Sequence, residues 1–280
     1  MIGTGAAPIP TSRSDKMLRT RVLTALALLA IFLCVLFLLP RPLAAAAFAL
    51  IAGLAAWEWA GLVGARDIVR VGFAVVILLS AFLLLGRSGT VFPILWIAAA
   101  LFWLAVTPLW LWRRWRLAGH TLIAYVVGWL LIVPTWAAMV ALHDRNPWLL
   151  FAAMALVWVA DIGAYFTGRA IGRTKLMPAI SPGKTWEGVG GAAIATLVYG
   201  VLAALVAGVP VTANLAWGLF LLLLTAISVV GDLFESMIKR QAGAKDSSNL
   251  LPGHGGILDR IDSQTSTLPL VALAIYLGSR

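Results

Sequence analysis

The stretch VLTALALLAIFLCVLFLLP, running from Val22 to Pro40, carries no charged side chain and follows four basic residues, Arg13, Lys16, Arg19 and Arg21. A helix that crosses a bilayer needs about 20 predominantly apolar residues, because the hydrocarbon core has no water to satisfy backbone polar groups. The run is longer than the apolar segment of a cleaved signal peptide, about 7–15 residues. Eight further hydrophobic segments follow it, so it reads as the first of a series of retained membrane helices. The predicted spans are 20–39, 43–64, 70–86, 91–111, 118–142, 148–168, 188–208, 213–235 and 264–279. The expected fold class is an all-α polytopic membrane protein with nine transmembrane helices.

Hydrophobic residues fill 62% of the 280 positions and charged residues 11%, and mean hydropathy is +0.98. A soluble domain carries about 25% charged residues. This chain cannot coat a globule of its length with charge, and its solvent is lipid. The net charge of +10 would suit nucleic acid if it formed one basic patch. Here the basic residues fall in short clusters between apolar runs, a pattern set by membrane topology and anionic headgroups. Nucleic acid is thereby excluded as a partner, and membrane lipids are expected. Cys34 is the single cysteine, which rules out an internal disulfide or a thiolate metal site.

Lys and Arg concentrate in the cytoplasmic loops of membrane proteins. With a cytoplasmic N-terminus, nine spans leave only Arg41, Arg87, Arg145 and Arg280 on the far side, and 17 of the 21 basic residues face the cytoplasm. One central helix more or fewer would scramble that split. Residues 1–18, polar and rich in Gly, Pro and Ser, read as a disordered cytoplasmic tail. Residues 19–142 form an N-terminal transmembrane scaffold of five helices. Residues 143–280 form a C-terminal catalytic region of four helices with two long cytoplasmic loops, 169–187 and 236–263. Long loops in compact proteins tend to be functional. No internal repeat and no matching pair of broken helices is found, which argues against a transporter. Trp112, Trp115, Trp148 and Trp186 fit an interfacial belt.

Seven of the eleven acidic residues lie at or after Asp161. Asp161, Asp232 and Glu235 fall within or at the ends of predicted spans, where a carboxylate costs several kcal/mol and defaults to a functional reading. Glu58, inside Trp57-Glu58-Trp59, reads instead as a structural hydrogen-bond partner between helices. The second long loop holds SMIKR (Ser236–Arg240), then Lys245-Asp246, then PGHGGILDRID (Pro252–Asp262). Its cations Lys239, Arg240, Lys245 and Arg260 alternate with carboxylates. Gly253, Gly255 and Gly256 let backbone amides approach a ligand. Cations and amides bind phosphate; carboxylates in the same place bind it only through a divalent cation, and Mg2+ is the natural choice. Asp232 and Asp259 would face the same membrane surface and could hold one or two metals over a phosphoryl group. A loop that merely binds headgroups accounts for the Lys and Arg but not for Asp246, Asp259 and Asp262.

Ser236 to Asp262 resembles the family motif of phosphatidate cytidylyltransferases, or CDP-diacylglycerol synthases. That motif runs Ser-x-apolar-Lys-Arg, four residues, Lys-Asp, then Pro-x-His-Gly-Gly-apolar-x-Asp-Arg-apolar-Asp. Ser236, Lys239, Arg240, Lys245, Asp246, Pro252, His254, Gly255, Gly256, Asp259, Arg260 and Asp262 all match at the set spacing. The resemblance implies CTP and phosphatidate as substrates, Mg2+ as cofactor, K+ as a second cation, and a homodimer. It implies that Asp232 and Asp259, with Asp262, hold metal. It implies a catalytic role for these carboxylates together with Lys239, Arg240, Lys245, Asp246, His254 and Arg260. Ser236 and the Gly255 and Gly256 amides would contact phosphate. A lipid kinase, or a transferase using an isoprenoid or ether lipid, would differ only in acceptor.

Two further segments resemble the family. In Trp158–Tyr165, WVADIGAY, Asp161 is expected to line the polar cavity. ISPGKTWEG, Ile180–Gly188, contains Gly-Lys-Thr, but a phosphate loop of the Walker type needs Gly where Pro178 stands, and a preceding strand. Ser181, Lys184 and Thr185 are expected to contact the nucleotide, with Glu187 orienting Lys184; a helix N-terminal cap explains Thr185 and Glu187 equally well. The resemblance places the enzyme in the cell membrane (the inner membrane of a Gram-negative cell), with its catalytic loops in the cytoplasm.

Overall fold

Each hydrophobic run folds into one helical rod. The computed structural model describes residues 13–117, 121–208 and 215–279. The helices are α1 (Arg13–Phe37), α2 (Arg41–Leu62), α3 (Asp67–Leu85), α4 (Ser88–Leu101), α5 (Thr107–Arg113), α6 (Thr121–Arg145), α7 (Pro147–Ile171), α8 (Trp186–Val206), α9 (Leu215–Gln241) and α10 (Leu258–Gly278). A π-helical turn, Phe102–Val106, joins α4 to α5 as one rod. Pro108 lacks an N–H and its ring crowds the preceding turn, so an α-helix cannot run through it unchanged. The helix widens just before it, and Thr107 Oγ1 donates to the Phe102 carbonyl at 3.1 Å.

Among the described residues there are thus nine rods, and each predicted span maps onto one of them. Seven are long and apolar enough to cross a membrane: α2, α3, α4–α5 and α6 to α9. This is a multi-pass membrane protein. The apolar part of α1, Val22–Phe37, is shorter than that standard, and α10 opens with charged and polar residues. Of the tail expected over 1–18, residues 1–12 lie outside the described residues, and Arg13 already belongs to α1.

Two expectations need correction. The 236–263 segment is helical at both ends: α9 runs on to Gln241 and α10 begins at Leu258, leaving 242–257 as the connection. The 169–187 segment is not plain loop. It holds an antiparallel hairpin, β1 (Lys175–Met177) and β2 (Ser181–Thr185), with Lys175 opposite Thr185 and Met177 opposite Ser181. The Pro-Gly content of Ser181–Thr185 hid this strand, and a small hairpin is compatible with a prolyl residue at an edge.

Helix α10 is the centre of the bundle. It packs against α9, α6, α4, α7 and α2, so the N-terminal scaffold and the catalytic region share one core. Its polar run Ser263–Thr267 is buried, and the side chains find partners on neighbouring helices. Ser263 Oγ donates to the Ser228 carbonyl, Gln264 Nε2 to the Met154 carbonyl and Ser266 Oγ to the Ile227 carbonyl. Thr135 Oγ1 on α6 donates to the Thr265 carbonyl. Buried polar groups need such partners, and between membrane helices they act as glue.

Helices α7 and α8 approach closely along glycines. A Cβ at Gly163 would stand 2.7 Å from Ala195 Cβ and 2.9 Å from the Gly191 carbonyl oxygen, and one at Gly191 would run into the Thr167 side chain. Gly190 faces open space. Overpacking a tight contact costs about 1–3 kcal/mol. Gly191→Val is therefore expected to lower unfolding free energy in detergent by about that amount, with Gly190→Val near wild type in the same denaturant titration.

Candidate active site

The site builds at one end of the bundle, where α7 ends, α8 begins, α9 ends and α10 begins. Thr185 caps α8: its Oγ1 accepts from the Gly188 amide at 3.1 Å. Glu187, in the first turn, accepts from the Thr174 amide at 3.1 Å. It ties the hairpin to α8 and does not orient Lys184. Lys184 instead pairs with Asp232 of α9, Nζ to Oδ2 at 2.5 Å. Asp232 Oδ1 accepts from Ser236 Oγ one turn on, at 3.2 Å.

The second ion-pair centre is buried. Lys239 Nζ stands 2.6 Å from Asp259 Oδ1 and 3.2 Å from Glu235 Oε1. Its side chain is 11% exposed and those of both carboxylates 5%. Asp259 Oδ2 accepts from the Gly256 amide at 2.8 Å, the Ser247 amide at 2.9 Å and Ser247 Oγ at 3.0 Å. Both oxygens of Asp259 are thus engaged. The Gly256 amide, expected to face phosphate, is turned to this carboxylate.

The connection 242–257 is shaped by close approach. Gly253 and Gly255 have φ of +76° and +79°, a region that favours glycine. A Cβ at Gly255 would also stand 2.7 Å from Asp259 Oδ2. The Leu251 amide donates to the Gly255 carbonyl and the His254 amide to the Leu251 carbonyl, each at 2.8 Å, closing a tight turn.

Two cavities flank this end. One, of about 540 Å³, is polar and lined by Lys245, Asp246, Gly253, His254, Gly255 and Arg260 among others. The other, of about 440 Å³, lies between α7, α8 and α9; Asp161, Ser181, Lys184, Thr185 and Asp232 line it beside Ala160, Ala164, Val189, Ala192 and Val229. Arg260 on the first and Asp161 in the second stand close enough to interact electrostatically, as do Asp161 and Asp232. Most expected site residues are therefore brought together. Ser236, Lys239, Arg240, Gly256, Asp259 and Asp262 line neither cavity. Arg240 reaches toward the carbonyls of Ala244, at 3.3 Å, and Ile180, at 3.5 Å, tying the end of α9 to the hairpin.

Asp232, Asp259 and Asp262 do not close into a cage. Among the described residues no three or more His, Cys, Asp or Glu side chains stand close enough to enclose an ion. The donor set still fits Mg2+, which takes one or two carboxylates and completes its shell with phosphate oxygens and water. Asp232 and Asp259 each carry a lysine ammonium in the place a metal cation would take, so metal binding there requires the ammonium to give way.

The residue that sequence reasoning undervalued is Glu58. It is a hydrogen-bond partner between helices, as expected, joining α2 to the start of α10, and it also reaches the connection before α10. Its carboxylate accepts from Ser247, Ser248 and the first amides of α10. The available signal was a carboxylate inside an apolar run. Ser247 and Ser248 carried none.

A polytopic helical bundle with cation- and carboxylate-lined cavities at one end has the form of a membrane enzyme. The chain belongs to the cytidylyltransferase family, whose profile it matches over residues 19–277, and it is a nucleotidyltransferase. It is 41% identical over 278 residues to a phosphatidate cytidylyltransferase of Pseudomonas aeruginosa, covering 93% of this chain and 97% of that relative. A protein of the same name from Haemophilus influenzae is 37% identical over 282 residues, covering 90% and 96%. One from Synechocystis is 50% identical over 129 residues, covering 45% of this chain and 42% of the relative.

Lys239 is the only cation within salt-bridge distance of Glu235 and Asp259 among the described residues. Removing one partner of a buried pair strands the others and costs about 3–5 kcal/mol. Lys239→Ala is expected to lose about that much stability in a denaturant titration in detergent, and Lys239→Ala/Glu235→Gln to recover part of it.

Proposed function

We propose that this chain transfers a cytidylyl group from CTP to phosphatidate, giving CDP-diacylglycerol and pyrophosphate. The observation that carries this reading is the pair of adjoining cavities with different walls. The polar one, with Lys245, His254 and Arg260, suits a triphosphate. The other has apolar walls at α7 and α8 and an anion-binding floor at Ser181 and Lys184, which suits a phosphate headgroup on acyl chains. Relatives named phosphatidate cytidylyltransferase at 41% and 37% identity support the same substrates.

The reaction is a direct displacement. A phosphatidate phosphate oxygen bonds to the α-phosphorus of CTP as the bond to the β-phosphate bridging oxygen breaks. The nucleophile is already an anion at neutral pH, so no strong general base is needed. What the residues supply is position and charge. Lys184 draws the lipid phosphate toward Asp232. Lys245, Arg260 and His254 hold the triphosphate and receive the charge that builds on pyrophosphate. Asp246 and the Gly255 turn shape that cavity, Ser236 orients Asp232, and Asp161 lines its apolar side. Lys239 acts through Asp259, and Arg240 through the hairpin. Mg2+, with K+ as a second cation, would be held at Asp232 and Asp259, with Asp262 behind them, and would neutralise phosphate charge when bound. Nine spans with a cytoplasmic N-terminus would put this end in the cytoplasm, where CTP is found.

Purified protein given labelled CTP, phosphatidate and Mg2+ is expected to form CDP-diacylglycerol, and chelation with EDTA to stop it reversibly. Absence of product and of pyrophosphate release would overturn the proposal. Asp232→Asn is expected to reduce turnover by about 100-fold or more, the scale of losing one electrostatic group in an active site, while eluting as a folded protein. Full activity in that variant would remove the metal assignment.

A further inference from the structure

Glu58 belongs to α2, in the half of the chain that the reaction scheme above does not use. It is fully buried. Its carboxylate accepts four hydrogen bonds: from Ser248 Oγ at 2.6 Å, the Leu258 amide at 2.7 Å, the Ile257 amide at 2.9 Å and Ser247 Oγ at 3.0 Å. Ser247 and Ser248 lie early in the connection between α9 and α10; Ile257 and Leu258 lie at its end. One carboxylate therefore closes both ends of the segment whose middle lines the polar cavity with Asn249, Gly253, His254 and Gly255.

The source of this acceptor distinguishes it from an ordinary cap. Helices normally take the acceptor for their first amides from the residue just before them. Asn146 does this for α7 and Thr185 for α8. Helix α10 begins after Ile257, which offers no side-chain cap, and the acceptor comes from α2 instead. Fit around it is close: a Cβ at Gly256 would stand 2.6 Å from both Glu58 oxygens. Ser247 Oγ also reaches Asp259 Oδ2 at 3.0 Å, and Asp259 reaches Lys239 at 2.6 Å. The chain of contacts runs unbroken from α2 to the buried ion pair.

We propose that Glu58 is a positioning residue for the nucleotide: it latches the 246–257 segment to α2, so that the N-terminal half of the chain sets the shape of the triphosphate cavity. This rests on the reading of that cavity as the CTP site. The lipid cavity shares no wall with Glu58 or the latched segment, so the effect is confined to one substrate.

Glu58→Gln in the full chain keeps the shape and one acceptor oxygen while removing the charge. The expected result is a KM for CTP raised about tenfold or more, the scale of weakened hydrogen bonds to a charged group, with the KM for phosphatidate within about twofold of wild type. Amide hydrogen exchange should quicken at 256–258 and stay unchanged in α6 to α8. Ser247→Ala/Ser248→Ala, which leaves the carboxylate in place, should shift the same two readouts in the same direction. Unchanged KM for CTP, or equal loss for both substrates with faster exchange throughout the bundle, would overturn the proposal. If the wild-type protein makes no CDP-diacylglycerol, the functional reading fails by itself. The exchange measurement then still decides the latch, and protection at 256–258 that survives Glu58→Gln would sink it.

Discussion

Lys239 shares one buried ammonium between Glu235, a turn before it on α9, and Asp259, at the start of α10. Away from water such a charge is tolerated only when paired on the spot. The two helices that frame the site therefore meet in one arrangement. From Asp259 the constraint passes through Ser247 to Glu58 and α2. On the other flank Phe234 sits among Phe102, Trp103 and Trp110, with ring centroids 5.7 to 5.8 Å away and nearly perpendicular. Edge-to-face contacts of this kind fix orientation as well as distance. The π-helical turn brings two of those rings to bear on α9, just beside Asp232 and Glu235.

This arrangement separates two jobs that the loop motif blends together. Some of its charged residues face open cavities: Lys245, Asp246 and Arg260 do so, and His254 lies among them. Others, Lys239 and Asp259 above all, face one another. The glycines divide likewise. Gly253 and Gly255 make the turn that forms the polar wall, while Gly256 is small because the Glu58 carboxylate and the Ser247 hydroxyl crowd it. A motif read as a list of phosphate contacts turns out to hold an internal frame for those contacts.

Hydropathy made the rods legible because a lipid solvent leaves a one-dimensional signature, a long run without charge. It was weakest at α10, whose Ser263–Thr267 run is covered by protein rather than lipid, and at the end of α9, where Lys239 stays helical although charged. The hairpin was illegible because five residues with a proline and a glycine carry no alternating pattern. In the site, charges and glycines at a membrane surface pointed to Asp232 and the 236–262 residues, and the family resemblance added Lys184. Neither could say that Lys184 meets Asp232 or that Glu187 meets Thr174, since those pairings depend on how α8 docks on α9. Glu58 stands farthest from the motif in sequence, and only the fold brings the two together.

The polar core of α10 also bears on how the chain is assembled. Serine, threonine and glutamine side chains find no partner in hydrocarbon, and an isolated segment carrying Asp259, Arg260 and Asp262 ahead of them has little reason to leave the interface. The acceptors they need, on Met154, Ile227 and Ser228, belong to helices synthesised earlier. Being made after them, α10 enters a bilayer in which its slot already exists. The active site is then completed in the same event that docks α10, and a chain cut short before Leu258 would keep Lys184 and Asp232 but lose Asp259, Arg260 and Asp262.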